Sequence, residues 1–125
     1  MKARYKIIIV ADHDTASLMS AKSLLSGEIY DVLAVPSGKT LLLLLENVTP
    51  DMILLDIEMP DIGAHEITKA LKSSGKTNNI PIILLSTGPD PGPEERWMGM
   101  GAVDCLIKPL TRELLEKRIE THIYP

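Results

Sequence analysis

The sequence predicts an α/β fold, a doubly wound sheet of five parallel strands with helices on both faces. Three observations predict it. Five short apolar runs alternate with five helical segments along the 125 residues. The runs are continuous rather than alternating in polarity, as in strands buried on both faces. Four of them end abruptly on polar residues, at Asp12-His13-Asp14, Asp56, Ser86 and Lys108. A parallel sheet gathers such strand ends along one edge, where open α/β sheets place their ligands.

The elements follow in order. Ile7-Ile-Ile-Val-Ala11 is β-branched and apolar, a central strand. Thr15 is placed to cap the next helix, with Leu18, Ala21 and Leu25 on its inner face and Gly27 at its end. Val32 to Val35 forms a second strand. Pro36-Ser37-Gly38 turns the chain, with Ser37 as N-cap. Leu41 to Leu45 is apolar on every side, which requires a wide core face or a covering partner. Gly38-Lys-Thr40 imitates the end of a phosphate-binding loop, but Leu33 stands where that loop needs its first Gly.

Met52 to Leu55 is the third strand. It ends on Asp56, and Pro60 stops any continuation. Ile67, Ala70 and Leu71 mark the face of a third helix. Ile80 to Ser86 is the fourth strand, with Pro81 near its start. Thr87-Gly-Pro-Asp-Pro-Gly-Pro93 holds three prolines and two glycines in seven residues, so a fourth helix starts late, near Glu94. Val103 to Ile107 is the fifth strand. Thr111 caps a last helix with Leu115 and Ile119 inward. Right-handed crossovers favour the flavodoxin-like (βα)5 order 2-1-3-4-5, whose switch point lies between the strands ending at Asp12 and Asp56.

Residues 1–125 have room for one domain and one core. The net charge of −4 argues against this domain gripping nucleic acid phosphates by itself. The single Cys105 excludes an internal disulfide and fits a reducing compartment. No apolar stretch approaches the ~20 residues of a membrane span, and Ile7 to Ala11 is too short for a secretory core. A cytoplasmic domain is expected.

The strand-end residues suggest chemistry. Crowded carboxylates require a positive partner, and a Mg²⁺ ion held by two carboxylates, a backbone carbonyl and waters supplies one. Asp56 is then placed to attack a phosphoryl group, with the Lys108 ammonium balancing charge and the Ser86 hydroxyl donating to a phosphoryl oxygen.

Leu54-Leu-Asp56-Ile-x-Met-Pro60, the acidic cluster at Asp12, Ile80-Pro81 leading to Ser86, and Gly101-Ala-Val-Asp104 leading to Lys108-Pro109 together resemble the receiver domains of two-component response regulators. The resemblance covers nearly the whole chain, including a tail like the final receiver helix. It implies that Asp56 accepts phosphate from a sensor histidine kinase or phosphotransfer protein. It implies Mg²⁺ held by Asp12, Asp56 and the Glu58 carbonyl, roles for Ser86 and Lys108 at the phosphoryl group, and a cis Lys108-Pro109 bond. It implies a signalling domain rather than an enzyme, and leaves room for a downstream effector and for weak self-association.

Four departures stand beside it. His13 occupies the second place of the usual acid pair, unless the register slides so that Ala11 and Asp12 fill the two places. Asp14 is a second source of compensation. His13 itself reads as a solvated loop residue. Gly63-Ala64 replaces the usual Asp-Gly. Cys105, read as a small core residue, replaces the switch aromatic. The Pro-rich run shortens the helix that carries Trp97, itself read as packing. An alternative is therefore a degenerate receiver that binds partners without phosphorylation. An Asp-nucleophile phosphatase is disfavoured, because Glu58 stands at its acid position and no cap region exists. A flavin carrier is disfavoured by the acidic loop after the first strand. The expected route for a signal is the Gly88 to Pro93 segment and the helix carrying Trp97.

Overall fold

The computed structural model describes residues 5–25, 27, 29–88 and 94–124. Its elements are β1 (Lys6–Ala11), α1 (Thr15–Leu25), β2 (Tyr30–Val35), α2 (Gly38–Leu44) and β3 (Met52–Asp56). Then come α3 (Ala64–Lys72), β4 (Ile82–Ser86), α4 (Glu94–Gly99), β5 (Asp104–Ile107) and α5 (Arg112–Ile123). All neighbouring strands pair in parallel, in the order 2-1-3-4-5. This is the predicted architecture.

Side chains of successive strand residues point to opposite faces, so the sheet builds two cores. Ile8, Val10, Leu54 and Leu85 meet Leu18, Ala21 and Leu25 of α1 and Leu115 and Ile119 of α5. Ile9, Ile53, Leu55 and Leu84 meet Leu41 of α2 and Ile67 and Leu71 of α3. Every residue of β3 is buried. Burying each large aliphatic side chain contributes about 1.5–3 kcal/mol, and this anchors the strand that carries Asp56.

Local chemistry sets the helix starts. Ser37 caps α2, its hydroxyl accepting from the Thr40 N–H at 3.1 Å, and Thr40 Oγ1 accepts in return from the Ser37 N–H. Thr111 caps α5 by accepting from the Leu114 N–H at 3.2 Å. Thr15 does not cap α1; it is the first helical residue. Asp14 takes the cap position, its Oδ1 accepting from the Ala16 N–H and its carbonyl from the Leu18 N–H. The Leu-rich stretch is mostly core: Leu41 and Leu45 are buried, Leu42 and Leu44 half-buried, and Leu43 alone is exposed.

Other expectations need correction. Strand β2 begins two residues earlier than predicted, at Tyr30, because Lys6 pairs with it. Strand β4 begins later, at Ile82, and β5 at Asp104. On α3 the inward position next to Ile67 belongs to Thr68, and Ala70 faces solvent. The Thr68 hydroxyl donates to the His65 carbonyl at 3.0 Å, which lets a polar residue enter the core face.

Candidate functional site

The sheet register assembles the site. Ala11 pairs with Leu55, so the next residues, Asp12 and Asp56, stand side by side at the carboxyl edge. Asp56 pairs with Leu85, which places Ser86 one step beyond it. Ser86 pairs with Ile107, which brings Lys108 to the same edge. The ladder extends past the strand ends, with Ile57 N–H donating to the Leu85 carbonyl and Lys108 N–H to the Ser86 carbonyl.

Both site carboxylates are fully buried, and each accepts hydrogen bonds on both oxygens. Asp12 Oδ1 accepts from the Asp14 N–H at 2.9 Å. Its Oδ2 accepts from Ser17 Oγ at 2.7 Å and from Lys108 Nζ at 2.6 Å. Burial pushes the Asp12 carboxyl up, but the bonds from Lys108, Ser17 and Asp14 outweigh it. The group is held below the usual carboxylate range. Asp56 Oδ1 accepts from the Glu58 N–H at 2.9 Å. Its Oδ2 faces the His13 ring at Nδ1 and lies 4.0 Å from Lys108 Nζ. The hydrogen bond to Asp56 raises the His13 imidazole above its ordinary value.

His13 corrects the sequence reading. It lies at the solvent edge, but its ring is bonded to Asp56 rather than free in a loop. Only its neighbour Asp12 hinted at this, since the partner lies 43 residues away. Asp14 faces solvent and serves as a helix cap.

Ser86 is buried at the end of β4, where its Oγ accepts from the Gly88 N–H at 3.3 Å. The Glu58 side chain is exposed, and its carboxylate accepts from the Thr87 hydroxyl at 2.9 Å. Thr87, which sequence reasoning passed over, thereby ties the ends of β3 and β4 together. The Lys108–Pro109 peptide bond is cis, as expected. A cleft of about 420 Å³, lined by Asp14, Ser17, Thr87 and Lys108, opens beside the ion pair.

The other departures also have structural outcomes among the described residues. Gly63 takes the N-cap position of α3 without a side-chain cap bond, and Ala64 is buried. Cys105 and Trp97 are both half-buried against the α2/α3 core, and burial raises the Cys105 thiol. Prolines 89, 91 and 93 of the expected signalling segment lie outside the described residues.

Donor atoms of Asp12, His13 and Asp56 lie within 4.8 Å of one another. Two buried carboxylates against one ammonium leave the site with an excess of negative charge, and their oxygens suit a divalent cation. The third donor is an imidazole nitrogen, which suits the hard Mg²⁺ ion less well.

Comparison with known proteins agrees with this arrangement. The family model described as "Response regulator receiver domain" matches residues 7–120. A Vibrio cholerae protein named "Probable cyclic di-GMP phosphodiesterase" is 33% identical over 117 residues, covering 94% of this chain and 26% of that protein. The polar-differentiation response regulator DivK of Brucella ovis is 25% identical, covering 94% and 96%. The receiver domain of sensor histidine kinase PA1611 from Pseudomonas aeruginosa superposes with a TM-score of 0.86 at 22% identity, covering 98% of this chain and all of that one. The chain thus spans about a quarter of the first relative and nearly all of the second. Among the described residues, no helix is long and apolar enough to cross a membrane. With its strand order, its paired edge carboxylates and its edge lysine, the chain belongs to the response regulator receiver domains of two-component systems.

Proposed function

We propose that residues 1–125 form a single receiver domain whose phosphoacceptor is Asp56, charged by a sensor histidine kinase or phosphotransfer protein. The observation that carries this is the Asp56 carboxylate itself. It is fully buried at the end of β3, beside Asp12, with Lys108 Nζ 4.0 Å away. A carboxylate kept dry and next to an ammonium is a prepared nucleophile.

In the transfer, an Asp56 oxygen bonds to phosphorus as the phosphorus–nitrogen bond of a phosphohistidine breaks. The freed imidazole nitrogen then takes a proton. Oδ1 is held by the Glu58 N–H and Oδ2 by His13, so one of these bonds yields at attack. Lys108 is already within reach of the phosphoryl oxygens, and the buried Ser86 hydroxyl stands ready to donate to one of them. A divalent cation bound by Asp12, Asp56 and the Glu58 carbonyl would neutralise phosphoryl charge. Mg²⁺ is the family's cation, and the PA1611 receiver domain holds it in its active-site cleft. The domain then acts as a cytoplasmic signalling module, with no nucleic acid contact of its own, passing its state to an effector.

The test is labelling with a small phosphodonor or a histidine kinase in the presence of Mg²⁺. An acid-stable, base-labile phosphoryl group is expected on the wild type and absent from Asp56→Asn. Equal labelling of the variant rejects Asp56 as acceptor. If neither protein labels while partner binding persists, the phosphorylation-independent reading takes its place; His13 at the carboxylate is the observation in its favour.

A further inference from the structure

The groups converging at the sheet edge are two carboxylates and one imidazole, with donor atoms within 4.8 Å of one another. His13 Nδ1 is 3.8 Å from Asp12 Oδ1 and in contact with Asp56 Oδ2, so its ring nitrogen lies close to an oxygen of each acid. The ring lies across the solvent side of the pair, its side chain 37% exposed while the carboxylates are fully buried. A cation that reaches the pair from solvent therefore meets a nitrogen donor as well as oxygens. Lys108 is engaged with Asp12 Oδ2, and an ion bound by His13 Nδ1 and Asp56 takes the place of the hydrogen bond between them.

Mg²⁺ prefers an octahedral shell of oxygens and gives up its waters reluctantly. Imidazole suits the later first-row cations, whose affinities rise from Co²⁺ to Ni²⁺ with Zn²⁺ also high. We propose that this site selects a nitrogen-accepting divalent cation of the Co²⁺, Ni²⁺ and Zn²⁺ class over Mg²⁺, with Asp12, Asp56 and His13 Nδ1 as its protein ligands. This rests on reading the acidic edge as a cation site, and it names the ion class that the site takes. It also assigns His13 a role, which makes the departure at position 13 a change of metal rather than a loss of function.

Nearly any carboxylate site binds Co²⁺ better than Mg²⁺, so absolute affinity does not test the idea. The ratio of the two affinities does. Calorimetric titrations of the whole chain with Mg²⁺ and with Co²⁺, at fixed pH and without phosphodonor, give that ratio for wild type, His13→Asn and His13→Asp. The preference for Co²⁺ over Mg²⁺ should fall at least about tenfold in both variants, with His13→Asp also tightening Mg²⁺. An unchanged ratio overturns the proposal and leaves His13 as a hydrogen-bond partner of Asp56 only.

A measurement on the wild type covers the case in which a variant misfolds. On adding Zn²⁺, the ¹⁵N resonance of His13 Nδ1 should shift as a metal ligand's does. A silent His13 ring, with the carboxylates responding, overturns the proposal. Labelling of Asp56 is measured separately. Normal labelling with an unchanged ratio rejects the cation preference alone. A Co²⁺ complex through His13 without labelling in either Mg²⁺ or Co²⁺ supports the preference and rejects the phosphoacceptor reading alone.

Discussion

Lys108 Nζ lies 2.6 Å from Asp12 Oδ2, joining residues 96 positions apart, and 4.0 Å from Asp56 Oδ2. The ammonium is stationed on the neighbouring acid, within a short movement of Asp56. Its side chain is only 9% exposed, so little water is present to replace it. Lys108→Met leaves two buried carboxylates without their cation. A loss of about 2–3 kcal/mol in urea unfolding at neutral pH is expected, somewhat under the cost of orphaning one buried charge because a carboxyl can take up a proton. Labelling of Asp56 should fall as well. Unchanged stability would mean that the pair contributes nothing in solution.

A second ion cluster lies at the far end of β5. Asp104 accepts from Arg118 Nη1 at 2.9 and 2.8 Å and faces His122 Nε2 at 3.1 Å. Burial pushes the Asp104 carboxyl up, but the bonds from Arg118, the Cys105 N–H and His122 outweigh it and hold it below the usual range. A carboxyl with a depressed folded pKa stabilises above its unfolded pKa, and this is lost as pH falls through the folded value. Asp104→Asn should cost about 1–2 kcal/mol at pH 7, discounted because Arg118 is 43% exposed. The gap from wild type should close below about pH 4. A gap that persists in acid would assign the loss to packing instead.

The parts of this molecule legible in the sequence are those whose cause is local. Ile53 to Leu55 announce a strand buried on both faces, and Asp56 and Pro60 announce its end. Ser37 is visible as a cap because its partner, Thr40, is three residues away. Bonds made across the fold leave no such trace. His13 meets Asp56 across 43 residues, and Asp61 meets the N-terminus of α2 across 23. Tyr30 joins β2 through its pairing with Lys6 rather than through any apolar pattern. Thr68 lies on the core face with its hydroxyl satisfied by a carbonyl one turn back, which hydrophobicity alone does not register.

The Asp61 contact yields another expectation. Its two oxygens accept from the Gly38 and Lys39 N–H groups at 3.0 and 2.9 Å, fastening the loop after Asp56 to the start of α2. These bonds hold the Asp61 carboxyl below the usual range. Gly38 is required at the contact because a Cβ there would lie 2.9 Å from Ile67 Cδ1 and 3.0 Å from Ile62 Cβ. Gly38→Ala gains up to ~1 kcal/mol in helix propensity, against ~1–3 kcal/mol for forcing atoms into a packed core. The second effect should win, since Ile67 is fully buried. Net destabilisation by about 1 kcal/mol or more is expected in thermal or urea unfolding; stabilisation would show that the loop yields freely.

The final expectation concerns how occupancy of Asp56 is sensed elsewhere. A bulky ring next to Ser86 would report a hydroxyl movement by rotating, but this chain has Cys105 at the position in question. The Cys105 side chain is half-buried against the α2/α3 core. One physical link leaves the site and another ties the helix beyond it to the sheet. Thr87 bonds Glu58, coupling the ends of β3 and β4. The Trp97 carbonyl accepts from the Met100 and Ala102 N–H groups, coupling α4 to the approach of β5. A phosphoryl mimic that draws in the Ser86 hydroxyl moves the oxygen to which the Gly88 N–H donates, so Gly88 must follow or lose that bond. Adding beryllofluoride should therefore shift the amide resonances of Thr87, Gly88 and residues 95–99, and Cys105→Ser should leave those shifts in place. A coupling of ~1–3 kcal/mol is enough for a useful response. Shifts confined to Asp12, Asp56 and Lys108, with α4 silent, would exclude this route.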